Sequence, residues 1–102
     1  MYTFVYITTP SKEEAEKIAK AVLEKRIAAC VNIFPIKSFF LWENKLEIAE
    51  EYAMIVKTRA EKFSELRDFV KSIHSYSVPC ICSISIEKGL RDFLEWIDKT
   101  IE

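Results

Sequence analysis

Of the residues that break regular structure, this 102-residue chain holds one glycine, Gly89, and three prolines. Linkers and turns draw heavily on both, so a compact domain with tight connections is expected. There is no surplus of positive charge: 15 Lys and Arg stand against 16 Asp and Glu, with a pI near 5.9. A nucleic-acid partner, whose binding needs that surplus, is not expected. No apolar run approaches the roughly 20 residues that span a bilayer, so no membrane partner is expected either. The opening MYTFVYITTP has neither the charged start nor the small-residue cleavage site of a secretory leader. Cys30, Cys80 and Cys82 are too few and oddly numbered for a disulfide framework. A reducing, cytoplasmic location fits them. Phosphate-loop glycines, a Gly-x-Ser-x-Gly elbow and a second histidine are all missing. The chain is therefore expected to be no enzyme and to need no organic cofactor.

What is present is a foldable pattern. Half of the residues are hydrophobic, which argues against disorder and for a single domain over residues 1–102. Tyr2 to Thr8 is apolar on both faces, as a buried central strand would be. Ser11 and Glu14 form a capping box, and Ala15, Ile18, Ala19, Val22 and Leu23 follow at helical spacing. Ala29 to Trp42 is extended, Glu43-Asn44-Lys45 turns, and Leu46 to Lys57 returns. Thr58 and Glu61 read as a second capping box, opening a helix with Phe63, Leu66, Val70 and Ile73 inward. Val78 to Ile86 reads as a strand, and Leu90, Phe93, Leu94, Ile97 and Ile101 as a terminal helix. The order matches an α+β, ferredoxin-like βαββαβ fold with an extra C-terminal helix.

The hairpin is long for so small a domain. Arms of about 13 residues at ~3.3 Å each reach roughly 43 Å, against a diameter of roughly 35 Å for a 100-residue domain. It should overhang the core, carrying Phe39-Phe40-Leu41-Trp42 with it. A tip that apolar needs cover, and a second copy of the chain is the simplest cover. Phe39, Phe40 and Trp42 are the expected interface. The alternative is a hairpin curled back onto its own sheet.

With the elements placed, several phrases resemble the CutA divalent-cation-tolerance family. They are Arg26-Ile27-Ala28-Ala29-Cys30-Val31-Asn32, Ser38-Phe39-Phe40-Leu41-Trp42-Glu43, Ile55-Val56-Lys57-Thr58 after Glu51, His74-Ser75-Tyr76-Ser77-Val78-Pro79, and Phe93-Leu94-Glu95-Trp96-Ile97. Five in order cover nearly the whole chain. Departures are Asn44 for glycine, Phe40 for tyrosine, Ser75 for proline and Cys80 for glutamate. The resemblance implies a homotrimer related in architecture to PII signalling proteins, with clefts between subunits. It also implies a role in tolerance of copper(II) or another divalent cation.

Four groups of residues could carry chemistry. His74 is the only histidine, and imidazole ligates copper and zinc. The resemblance places His74 in the family's copper site, but the other two positions of that site are Ile73 and Ile7 here. The alternative for His74 is a structural role at a helix end. Cys80 and Cys82 share one strand face and could hold a soft ion as thiolates. With Val78, Ile84 and Ile86 on the same face, they read better as core; Cys30 reads the same way. Glu51, Lys57 and Tyr76 match recurrent family positions and could surround one inter-subunit cleft, or serve only as ties between subunits. Trp42 reads as interface rather than as a ligand platform.

Other ferredoxin-like functions fit less well. The loop Thr8-Thr9-Pro10-Ser11 lacks the Cys-x-x-Cys of heavy-metal-associated domains and the Arg-bearing loop of acylphosphatases. Tyr52 to Lys57 lacks the aromatic and Arg signature of RNA-recognition motifs. Two functions are carried forward: a metal-binding tolerance protein, and a PII-like signalling or scaffold trimer that binds a small molecule or protein in its clefts.

Overall fold

The computed structural model describes residues 1–101. Its elements are β1 (Tyr2–Thr9), α1 (Lys12–Glu24), β2 (Cys30–Trp42), β3 (Lys45–Arg59), a 3-10 turn (Ala60–Lys62), α2 (Phe63–Ile73), β4 (Ile81–Ile86) and α3 (Arg91–Ile101). The strands form one antiparallel sheet in the order β2-β3-β1-β4. This is the ferredoxin-like α+β arrangement, with α3 added.

Strict alternation along β1 sends Thr3, Val5, Ile7 and Thr9 to one face. There they meet Met54 and Val56 of β3, the inward stripe of α1 (Ala15, Ile18, Ala19, Val22), and Leu66 and Val70 of α2, which together form the main core. Ser11 caps α1, accepting a hydrogen bond from the Glu14 amide. The reciprocal half of the expected capping box does not form, because the Glu14 carboxylate turns instead to the amide of Ser75, 2.9 Å away.

The second expected capping box is absent. Thr58 is the penultimate residue of β3, and its buried hydroxyl donates to the Ile27 carbonyl at 2.9 Å. The chain enters α2 through the 3-10 turn, and α2 has no side-chain cap. The long sheet overrides a local helix signal here: pairing with β1 carries β3 through Arg59.

α3 lies against the opposite sheet face and covers only one end of it. Ile97 and Ile101 pack with Ala29, and Tyr2, Phe93 and Leu94 border them. The Tyr2 hydroxyl donates to Asp98 at 2.7 Å, and Arg26 donates to the Thr100 carbonyl at 3.0 Å. The rest of that face is open.

The β2–β3 hairpin has arms of 13 and 15 residues joined by a two-residue turn. Glu43 and Asn44 both adopt positive φ, 52° and 65°, as a type I′ turn requires. The molecule measures 44 × 26 × 21 Å, so the hairpin projects rather than curling back. Phe39, Phe40, Leu41, Trp42, Leu46 and Ile48 are exposed along it.

Candidate functional site

The open sheet face and the base of the hairpin enclose a groove of about 790 Å³. Tyr6 and Thr8 form its floor, Ile36, Phe40 and Trp42 one side, and Glu51, Tyr76 and Cys80 the other. Period-two alternation explains the floor and the hairpin side. Tyr6 pairs with Ile55, Thr8 with Ala53, and Ile36 with Glu51 across the ladders, so all face away from α1 and α2.

Glu51 is buried, and one of its carboxylate oxygens accepts the Tyr76 hydroxyl at 2.6 Å. Burial and the adjacent carboxylate push the Tyr76 phenol far above its ordinary pKa. The phenol therefore keeps its proton and donates a hydrogen bond to the carboxylate at the groove wall. Lys57, expected at the same inter-subunit cleft, is distant from this pair within one subunit. It is six residues along β3, roughly 20 Å away at ~3.3 Å per residue. There its ammonium sits 5.4 Å from the Phe4 ring centre and 5.6 Å from that of Phe93, at the edge of α3. Within one subunit the expected trio is a pair.

His74 follows α2, and its side chain is fully buried. The Tyr76 amide donates to Nδ1 at 3.0 Å. An amide can only donate, so Nδ1 carries the lone pair and Nε2 the proton. Nε2–H then donates to the Thr8 carbonyl at 2.8 Å. Thr8 lies one residue beyond the last β1–β4 pair, Ile7–Ile81, and the imidazole takes up its carbonyl. With Nδ1 an acceptor, the Glu14 carboxylate 3.4 Å away is held by the Ser75 amide rather than by an ion pair. Both ring nitrogens are thus engaged in fastening the 74–76 loop to β1 and placing Tyr76 against Glu51. This is the structural alternative for His74; as a metal ligand, the ring would first have to give up one of these bonds.

The cysteines depart from expectation. Cys82 is exposed and Cys80 half-buried, because this side of β4 belongs to the open face. Val78 and Ile84, expected beside them in a core, are 72% and 53% exposed, and β4 begins only at Ile81. It is Ser83, on the other side of β4, that pairs with core residue Val5. Cys30 is half-buried too. The Cys80 and Cys82 sulfurs are 4.0 Å apart. Among the described residues, no group of three or more His, Cys, Asp and Glu is placed to hold a metal. The role of Glu14 as the clamp on the 74–76 loop was not legible in the sequence, where its spacing from Ser11 announced only a cap.

Comparison with known proteins follows the same lines. A family model described as "CutA1 divalent ion tolerance protein" matches residues 3–100. The divalent-cation tolerance protein CutA of Archaeoglobus fulgidus is 69% identical over 102 residues, the whole of both chains. That of Thermus thermophilus is 42% identical over 98 residues, 95% of each chain. A structure described as the periplasmic divalent cation tolerance protein CutA from A. fulgidus superposes on the whole chain with a TM-score of 0.99. That of the T. thermophilus protein, 40% identical, superposes over all of both chains at 0.96. Match over nearly the whole length and high identity agree, and the chain belongs to the CutA1 divalent ion tolerance family.

Proposed function

We propose that this chain is a non-enzymatic, cytoplasmic homotrimer that binds a divalent cation, with copper(II) the first to test, and takes part in the response to metal ions. The observation that carries the reading is the groove. A buried carboxylate, Glu51, lines it with the half-buried thiol of Cys80, and its apolar side runs out along an uncovered hairpin. Thiolate sulfur suits zinc or copper and carboxylate oxygen adds a hard donor for a divalent cation, and a neighbouring subunit lying on the exposed face would bring further donors to the same opening. Family membership supports the tolerance role. The reading needs no free imidazole, so it survives the engagement of His74.

The test is a calorimetric copper(II) titration beside light scattering, in a non-chelating buffer without reductant, with the free thiols counted before and after because copper(II) oxidises them. A trimeric mass and stoichiometric binding that weakens at least about tenfold in Glu51→Gln are expected. A monomeric mass at micromolar concentration, or binding too weak to saturate, overturns the reading. Specific binding that depends on His74 instead would place the metal elsewhere.

The size and apolar lining of the groove favour a second reading, a PII-like signalling or scaffold trimer with an organic ligand or protein segment in that space. Metal-independent capture of a small molecule, abolished by Trp42→Ala, would decide for it.

A further inference from the structure

The thiol pair of Cys80 and Cys82 has no part in the core and makes no disulfide. Two free thiols side by side at the edge of a groove are unusual, since free cysteine is normally buried and inert. Their placement follows from the fold. Residues two apart on an extended chain project to one side, and that side of β4 faces away from α1 and α2. Tyr6 of β1 stands directly across from Cys82, so the strand beneath the pair is held by ladder pairing.

We infer that Cys80 and Cys82 together form a site for a soft monovalent d10 ion, copper(I). The inference deepens the metal-binding reading above: it keeps Cys80 as a donor, puts Cys82 in the place of Glu51 and assigns a second oxidation state.

Distance and coordination number both favour it. With metal–sulfur bonds of about 2.3 Å, sulfurs 4.0 Å apart subtend an angle of about 120° at the metal. Opening the pair toward linear two-coordination requires the sulfurs to separate by a further ~0.6 Å, which rotation of the exposed Cys82 side chain can supply. Structural zinc asks for four ligands, and these two thiols belong to no larger cluster among the described residues. Copper(I) accepts two or three, and thiolates are the donors that select it.

The protons balance simply. Each bound ion displaces one proton from each thiol, leaving a bis-thiolate complex of net charge −1, with no change of oxidation state. Burial, the neighbouring Cys82 and Glu51 push the Cys80 thiol up to about 11. Without metal, Cys80 therefore stays protonated at neutral pH and is a poor nucleophile.

The test is an anaerobic competition for copper(I) against a chromogenic copper(I) chelator, using the full chain. One ion per chain is expected, with affinity falling at least about 100-fold in Cys82→Ser and in Cys80→Ser and unchanged in Cys30→Ser. Cys82 lies outside the core of the subunit, so its variant will fold even if that of Cys80 does not. Affinity unchanged in Cys82→Ser, or no stoichiometric copper(I), overturns the inference. The copper(II) titration separates the two readings. Copper(II) bound but not copper(I) leaves the proposed function standing without this site. Copper(I) held by the pair with copper(II) unbound leaves this site standing and removes the divalent reading.

Discussion

Replacing His74 by alanine tests whether the lone histidine is a fastening or a ligand. The imidazole bridges two backbone groups, donating to the Thr8 carbonyl at 2.8 Å and accepting from the Tyr76 amide at 3.0 Å. Truncation leaves both unpaired in a place where the ring itself was fully buried. Each orphaned buried group costs about 1–3 kcal/mol, and the vacated ring leaves space that relaxes only in part. A loss of about 3 kcal/mol is expected, within a range of roughly 2–5. His74→Gln offers a sharper comparison. Its amide nitrogen can stand near the position of Nε2 and restore the donor to Thr8, while its carbonyl oxygen does not occupy the position of Nδ1, so the Tyr76 amide stays unpaired and about half of the loss should return. The assay is guanidinium unfolding at one fixed protomer concentration, because subunit association adds to apparent stability. Copper(II) titration of the same proteins completes it: affinity should change less than about threefold, well inside 1 kcal/mol. An alanine variant as stable as the parent, or one of normal stability that has lost its copper affinity, would refute the reasoning.

Three further outcomes follow. Tyr76 is neutral when protonated and its folded-state pKa is raised; its contribution is therefore complete below the unfolded value of about 10 and is lost as pH rises through the folded value. Phenolate absorbance should show Tyr76 still protonated at pH 11, with a late transition that disappears in Tyr76→Phe. Thr58→Val keeps the shape but removes the donor to the buried Ile27 carbonyl, and should cost about 1–3 kcal/mol in the same unfolding assay. Trp42→Glu places a charge on the exposed hairpin arm; light scattering should show a smaller mass while circular dichroism is unchanged, and an intact oligomer would remove the hairpin from the interface.

Much of the architecture was legible because it is written in local periodicity. Apolar residues on both faces marked β1 as central, the Glu43-Asn44-Lys45 turn marked the hairpin, and the apolar stripes of α1, α2 and α3 appeared at helical spacing. These patterns report which face of an element is buried, and they need no knowledge of the neighbour. The failures share a cause. Thr58 and Glu61 have capping-box spacing, but strand pairing claimed Thr58. Val78, Cys80, Cys82, Ile84 and Ile86 look like a core stripe, yet α1 and α2 cover the other face of the sheet. Glu14 has cap spacing and instead holds the 74–76 loop.

The sequence by itself determined the element order, the projecting hairpin and the family. Each rests on spacing along the chain or on an ordered set of phrases, and both survive without coordinates. Only the tertiary structure decided which sheet face stays open, that Glu51 meets Tyr76 while Lys57 lies far down the strand, and that both nitrogens of His74 are taken. Those facts depend on which distant segments are brought within hydrogen-bonding distance. Thr8 meets His74 across 66 positions and Tyr76 meets Glu51 across 25, and no local pattern encodes a contact at that range.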